Sequence, residues 1–228
     1  MTRDSARRAG IAAALILGAL LLVAAVPKVL SQASFFQVRR VEVVGARYLS
    51  GPEVVAALKL PKRVSLFDQL EPVERSARAI AGVRDASVRR RWPATLVVEL
   101  NEAEPVALTQ GKRALVLLDG NGRVLPFDPT RAPPDLPLAP ADRAVARLLA
   151  RIKQREPGLY RVVTSATRER QVIRLQAGDR RFLLRTDAAD EQLRALAVVL
   201  NDLARSGRRF RELDARFTDR IFVRSRPS

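Results

Sequence analysis

The chain holds no cysteine and no histidine. Without thiols it carries neither a disulfide framework nor a thiolate nucleophile. Without imidazole, most structural zinc sites and the histidine-dependent nucleophile triads are excluded. What remains for chemistry is carboxylate pairs, Ser–Lys dyads or Asp/Glu metal sites, and none of these shows a recognisable motif. The sequence therefore reads as non-catalytic, with no cofactor, no metal site and no small-molecule substrate. Lysine is scarce as well: beyond Lys28, Lys59, Lys62, Lys112 and Lys153, every basic residue behind the net charge of +17 is an arginine. The arginines are spread along the whole chain among abundant Ala, Leu, Val and Pro. That is a compositional bias rather than the footprint of a nucleic-acid binder. The densest cluster, Arg89-Arg90-Arg91 beside Trp92, has the arginine-plus-aromatic look of single-strand binding. It reads instead as a solvated strand end with a packing tryptophan. Glu99, Glu102 and Glu104 are expected to be solvated at a strand end. Low-complexity segments and internal repeats are missing too. A basic surface beside a membrane is still drawn to anionic headgroups and wall polymers.

What is present is one long apolar run, Ile11 to Val26, without a charged or polar side chain. With Ala9, Gly10, Pro27, Val29 and Leu30 it approaches the roughly 20 residues that cross a bilayer as a helix. A lone span must satisfy its backbone internally, so a helix is the form expected. Arg3, Arg7 and Arg8 precede it against Asp4, and that excess places the N-terminus inside and the bulk outside the cytoplasmic membrane. A buried core helix and a cleavable signal peptide are the alternatives. Ser31-Gln32-Ala33 has the small-x-small form of a cleavage site, but it lies well past the run, which is longer than a signal core. The expectation is an uncleaved transmembrane helix over 11–30 after a cytoplasmic tail, 1–10.

A first α+β domain is expected over 35–104. Phe35 to Gly45 reads as a strand whose apolar parity changes at Arg39-Arg40, marking a bulge or the true strand start. Ser50-Gly51-Pro52-Glu53 opens a helix with a capping box, and Val54, Val55 and Leu58 give it an apolar side until Pro61. A second helix starts at Asp68, with Leu70, Val73, Ala77 and Ile80 at helical spacing and Gly82 just past its end. Val83 to Arg91 is a strand with Ala86 and Val88 inward, and Trp92-Pro93 makes a turn. Ala94 to Leu100 alternates cleanly, with Leu96, Val98 and Leu100 on one face and Thr95 and Glu99 on the other. The order is β-α-α-β-β.

These pieces carry a resemblance. After the apolar run come F-x-V-x-x-V-x-V-x-G (Phe36, Val38, Val41, Val43, Gly45) and a helix pair. Next are V-x-x-A-x-V-x-R-x-W-P-x-T-L (Val83, Ala86, Val88, Arg90, Trp92, Pro93, Thr95, Leu96) and E-x-x-P-V-A (Glu102, Pro105, Val106, Ala107). Together they resemble the bacterial division family FtsQ, called DivIB in Gram-positive bacteria. The β-α-α-β-β unit is similar to a POTRA domain, which translocation and assembly proteins also use. Those proteins usually continue into a long barrel of alternating strands, for which no region is available.

The second, β-rich domain is expected over 105–228. Leu115 to Leu118 and Arg123 to Leu125 form a hairpin around Asp119-Gly120-Asn121-Gly122. Pro126, Pro129, Pro133, Pro134, Pro137 and Pro140 impose irregular chain, with Leu136-Pro137-Leu138 pinned to the core. Val145, Leu148, Leu149 and Ile152 mark a helix halted by Pro157-Gly158. Strands follow at Leu159–Ala166, Gln171–Gln176 and Arg180–Thr186, then a helix over 187–204 with Leu193, Leu196, Leu200 and Leu203 inward. Phe210–Phe217 and Arg220–Arg226 read as two closing strands, with Ile221 and Val223 facing the core. Leu213 to Phe217 resembles the family's L-D-x-R-F/Y segment.

The resemblance implies a bitopic divisome scaffold that binds FtsB and FtsL and helps bring the septal wall synthase to the division site. It places FtsB along the closing strand and the segment before it, at Asp214, Arg216, Phe217, Arg220, Ile221, Phe222, Val223 and Arg224. A POTRA-bearing translocation component and an anchored nucleic-acid or polymer binder using the arginine surface are the rival readings.

Overall fold

The computed structural model describes residues 36–225 other than 62, 132 and 134, together with 16 and 18. The span expected over 11–30 lies outside the described residues apart from Ile16 and Gly18. Among the described residues no helix is long and apolar enough to cross a membrane. Contacts divide the chain after Glu102 into two compact units.

In the first unit β1 (Arg40–Val44), α1 (Gly51–Leu58), α2 (Glu71–Arg78), β2 (Val83–Arg91) and β3 (Thr95–Glu102) follow in the expected order. The sheet order is β1-β3-β2, with β1 parallel and β2 antiparallel to β3. The parity change at Arg39-Arg40 is the strand start. Before it the chain lies against another segment, Val38 N–H donating to Val64 O and Leu66 N–H to Phe36 O. The capping box forms, Ser50 N–H to Glu53 Oε2 at 2.7 Å and Glu53 N–H to Ser50 Oγ at 3.3 Å. The second helix starts three residues later than Asp68, because the Asp68 carboxylate accepts from Ser65 N–H instead of capping it. Val54 and Leu58 of α1, Val73 and Ala77 of α2, and Leu96, Val98 and Leu100 of β3 close one core. A fully buried leucine contributes about 2 kcal/mol to such a core.

Two expectations fail on β3. Val97, on the face read as polar, is fully buried. Its cross-strand neighbours are Glu42 and Arg89, and the ion pairs Arg91–Glu42 and Arg89–Glu99 lie on that face. Glu102 is not solvated. Because β1 and β3 run parallel, the chain leaving β1 emerges beside the end of β3. There the Glu102 carboxylate accepts N–H bonds from Arg47 (2.8 Å), Tyr48 (2.8 Å) and Leu49 (3.0 Å). Gly45 makes the turn at φ +84°, where a Cβ would stand 2.3 Å from Leu100 O.

The second unit contains β4 (Pro105–Gln110), β5 (Leu115–Asp119), β6 (Val124–Leu125), α3 (Arg143–Arg155), α4 (Pro157–Val162) and β7 (Ser165–Glu169). It continues with β8 (Val172–Ala177), β9 (Arg180–Arg185), α5 (Asp190–Arg205), β10 (Glu212–Asp214) and β11 (Phe222–Arg224). The expected hairpin forms, with Asp119 Oδ1 accepting from Asn121 and Arg123 N–H and Gly122 at φ +77°. The strand expected over Leu159–Ala166 is a correction: 157–162 is helix, and the strand begins at Ser165. Proline suits the first turn of a helix, so Pro157 starts a new one instead of releasing an extended chain. Tyr160 anchors it, its hydroxyl donating to Val106 O at 2.7 Å.

Two sheets, β4-β5-β6 and β11-β10-β9-β8-β7, lie in this unit. Leu138 forms parallel bridges with Leu108 on one side and Ser165 on the other. Its segment donates from Leu138 N–H to Thr164 O (3.0 Å) and from Ala139 N–H to Leu108 O (2.8 Å). Leu136 is buried as expected, whereas the Leu138 side chain is half exposed; at Leu138 it is the backbone that is pinned. Ile173 and Leu175 of β8, Phe182 and Leu184 of β9, and the apolar stripes of α3 and α5 are buried.

Candidate functional site

The residues marked out for partner binding cluster at one edge of the five-stranded sheet. β10 pairs in parallel with β9 and antiparallel with β11, matching Glu212 with Arg224, Leu213 with Val223 and Asp214 with Phe222. β11 ends the strand order, and its other side pairs with no strand among the described residues.

The closing strands are shorter than expected. Arg216, Phe217, Arg220 and Ile221 sit in the connecting loop, and only Phe222 to Arg224 form strand. Arg226 lies outside the described residues. Val223 shares a face with the fully buried Leu213 but is 38 % exposed. Its parity was right; an edge strand has a neighbour on one side only, so Val223 is not covered. Ile221 is half-buried.

On the opposite face Asp214 and Glu212 are buried carboxylates among arginines. Arg216 holds Asp214 through two guanidinium bonds, the shorter 2.6 Å, and through its own N–H. That bonding holds the Asp214 carboxyl below the usual carboxylate range against the opposing effect of burial. Arg181 pairs with Glu212, and Arg224 Nε stands 3.3 Å from Glu212 Oε1, an oxygen that accepts no hydrogen bond. Arg220 pairs with Asp219 at 2.6 Å. The arginines of this edge therefore already face carboxylates of their own chain.

Two exposed aromatics complete the edge. Phe217 and Phe222 are each 46 % exposed, and Arg216 lies over the Phe217 ring. Gln192, at the start of α5, was not singled out from the sequence. Its amide donates to Ala215 O and Phe217 O, while its oxygen accepts from Ala189 N–H. A glutamine at the third helical position after a loop is a capping signal that could have found it. Among the described residues no group of three or more carboxylates stands together as a metal site.

Residues 36–103 match the family model described as POTRA domain, FtsQ-type. The cell division protein FtsQ of Zymomonas mobilis is 32 % identical over 136 residues, which are 58 % of this chain and 43 % of that protein. The chain is similar to division proteins of the FtsQ family, through its POTRA-matching part and this relative. FtsQ of Rickettsia bellii is 27 % identical over 88 residues, covering 38 % of this chain and 33 % of its own length. The chain thus spans less than half the length of either relative. The solved extracytoplasmic domain of DivIB from Geobacillus stearothermophilus gives a TM-score of 0.35 at 16 % identity, over 46 % of this chain and 97 % of that one. That likeness is too slight to add to the assignment.

The arginine cluster belongs to the POTRA-matching part. Arg89 and Arg91 pair with Glu99 and Glu42, and Arg90 donates to the carbonyls of Leu66 and Asp68. All three are exposed at the end of β2, as expected of a solvated strand end, and each has a partner within its own unit.

Proposed function

We propose that this chain is a non-catalytic scaffold of bacterial cell division. It is held in the cytoplasmic membrane by residues 11–30 with the tail 1–10 inside, and displays its two domains, 35–104 and 105–228, on the outer side. Its partners are FtsB and FtsL, through which it supports assembly of septal wall synthesis. The names of the related division proteins support the setting.

The observation that carries the partner site is the open side of β11 with exposed Phe222 and Phe217 beside it. An unpaired strand edge presents N–H and C=O groups that another chain can extend as a further strand. FtsB adds a strand along 222–224, Phe222 serves as its apolar anchor, and acidic residues of FtsB share the arginines with Asp214, Glu212 and Asp219. Arginine side chains that only shielded the edge would not need two aromatics exposed between them.

The test is capture of purified FtsB–FtsL by the full chain, by Phe222→Ala and by a variant lacking residues from Ile221 onward. Phe222→Ala is expected to bind markedly less and the deletion not at all, with circular dichroism unchanged. Full retention of FtsB–FtsL by a folded deletion variant overturns the site.

A further inference from the structure

The first unit carries a second aromatic group, at the turn that follows β2. Phe36, Phe67 and Trp92 meet edge to face in a closed triad, with ring centroids 5.1, 5.6 and 5.5 Å apart. They come from three places: the segment before β1, the loop between the helices and the turn between β2 and β3. The corner is rigidly built, since Leu66 N–H donates to Phe36 O and the Arg90 guanidinium reaches Leu66 O and Asp68 O. Trp92 is nevertheless 57 % exposed. A large aromatic held out in solution by its own bracing is unexplained by the packing of the unit.

Two observations say what covers it. The apolar run ends at Val26, ten residues before Phe36. Ten residues reach at most about 35 Å, so Phe36 cannot stand farther than that from the end of the run. The second is charge. Exposed Arg39 and Arg40 follow Phe36 and donate their N–H groups to Ala94 O, two residues past Trp92. Arg63 is exposed on the segment paired with Val38. Aromatic rings with a wet edge beside arginines suit the headgroup layer of an anionic bilayer, where tryptophan concentrates and basic residues are attracted.

We propose that the Phe36–Phe67–Trp92 corner rests in the headgroup layer of the membrane, with Arg39, Arg40 and Arg63 against anionic lipid. The anchor would then orient the first unit at the surface instead of merely tethering it. This docking rests on the anchor reading given above.

Trp92 is the sole tryptophan, so its fluorescence reports the corner directly. The full chain is reconstituted in phosphatidylcholine vesicles with or without phosphatidylglycerol, and with brominated phospholipid as the bilayer quencher. The expected result is a blue-shifted emission, loss of most of it to the brominated lipid, and shielding from aqueous iodide, all stronger with phosphatidylglycerol. The Arg39→Gln, Arg63→Gln double variant loses the phosphatidylglycerol increment while its circular dichroism is unchanged. A vesicle-bound chain whose Trp92 is quenched by iodide and not by bromine overturns the docking and leaves the anchor standing. Shielding from both quenchers means that a protein surface covers the corner, and it also overturns the docking. A chain that fails to sediment with vesicles overturns the anchor and the docking together.

Discussion

Phe217 and Phe222 meet edge to face with ring centroids 5.2 Å apart, closing the loop between β10 and β11 across a planar angle of 77°. Such pairs contribute roughly 0.5–1.5 kcal/mol beyond the area they bury, and half-exposed rings fall at the low end. Single and double alanine variants at these positions should give a coupling of about 0.5 kcal/mol in urea unfolding. Strict additivity would show that the rings merely sit near one another.

Glu102 ties the chain leaving β1 to the end of β3 through three N–H bonds. Glu102→Ala leaves those donors without partners, a loss of about 3 kcal/mol. Glu102→Gln keeps one acceptor oxygen and should lose less. Denaturant midpoints of the two variants check the order, and equal midpoints would contradict it.

Among Arg89, Arg90 and Arg91 the losses should be unequal. Arg89 and Arg91 make half-exposed ion pairs, of the kind that contribute about 0.5 kcal/mol or less. Arg90 instead bonds two backbone carbonyls of the loop between the helices. Arg90→Gln should therefore account for most of the destabilisation of the triple glutamine variant, measured by thermal unfolding.

Tyr160 sets an alkaline limit. Burial, with the negative charges of Glu104 and Asp135 adding to it, raises its pKa in the folded chain above the usual tyrosine value. The folded state therefore holds the proton more tightly than the unfolded chain. Its contribution is complete below the unfolded pKa of about 10, and is lost as pH rises beyond it. Tyr160→Phe should lower stability at neutral pH by about 1–2 kcal/mol, through the lost bond to Val106 O, and flatten the decline above pH 10. Parallel pH–stability curves for the two proteins would show another group responsible.

The first unit was legible because its signals are local and agree. Ser50 and Glu53 mark a helix start, and Leu96, Val98 and Leu100 alternate on one strand. What was not legible depends on partners distant in sequence. Glu102 looks like any strand-end carboxylate until the parallel pairing of β1 with β3 brings three N–H groups to it. Val97 looks misplaced until Arg89 and Glu42 flank it. The closing sheet edge was legible from its apolar residues and the L-D-A-R-F segment, yet its strands were drawn too long. Alternation at Phe222 and Val223 does not reveal that Arg216 to Ile221 turn away as a loop. The short helix at 157–162 was missed because a Pro-Gly pair reads equally as an end or as a start.

Leu138 is a single residue of a proline-rich connection, yet it splices the three-stranded and five-stranded sheets into one ladder. A pull on β11 is then borne in series through β7, through the Leu138 splice and into β4, rather than by the edge hairpin alone. In such a series the weakest contact sets the force at which the domain yields, and one link of it lies in the least regular stretch of the sequence.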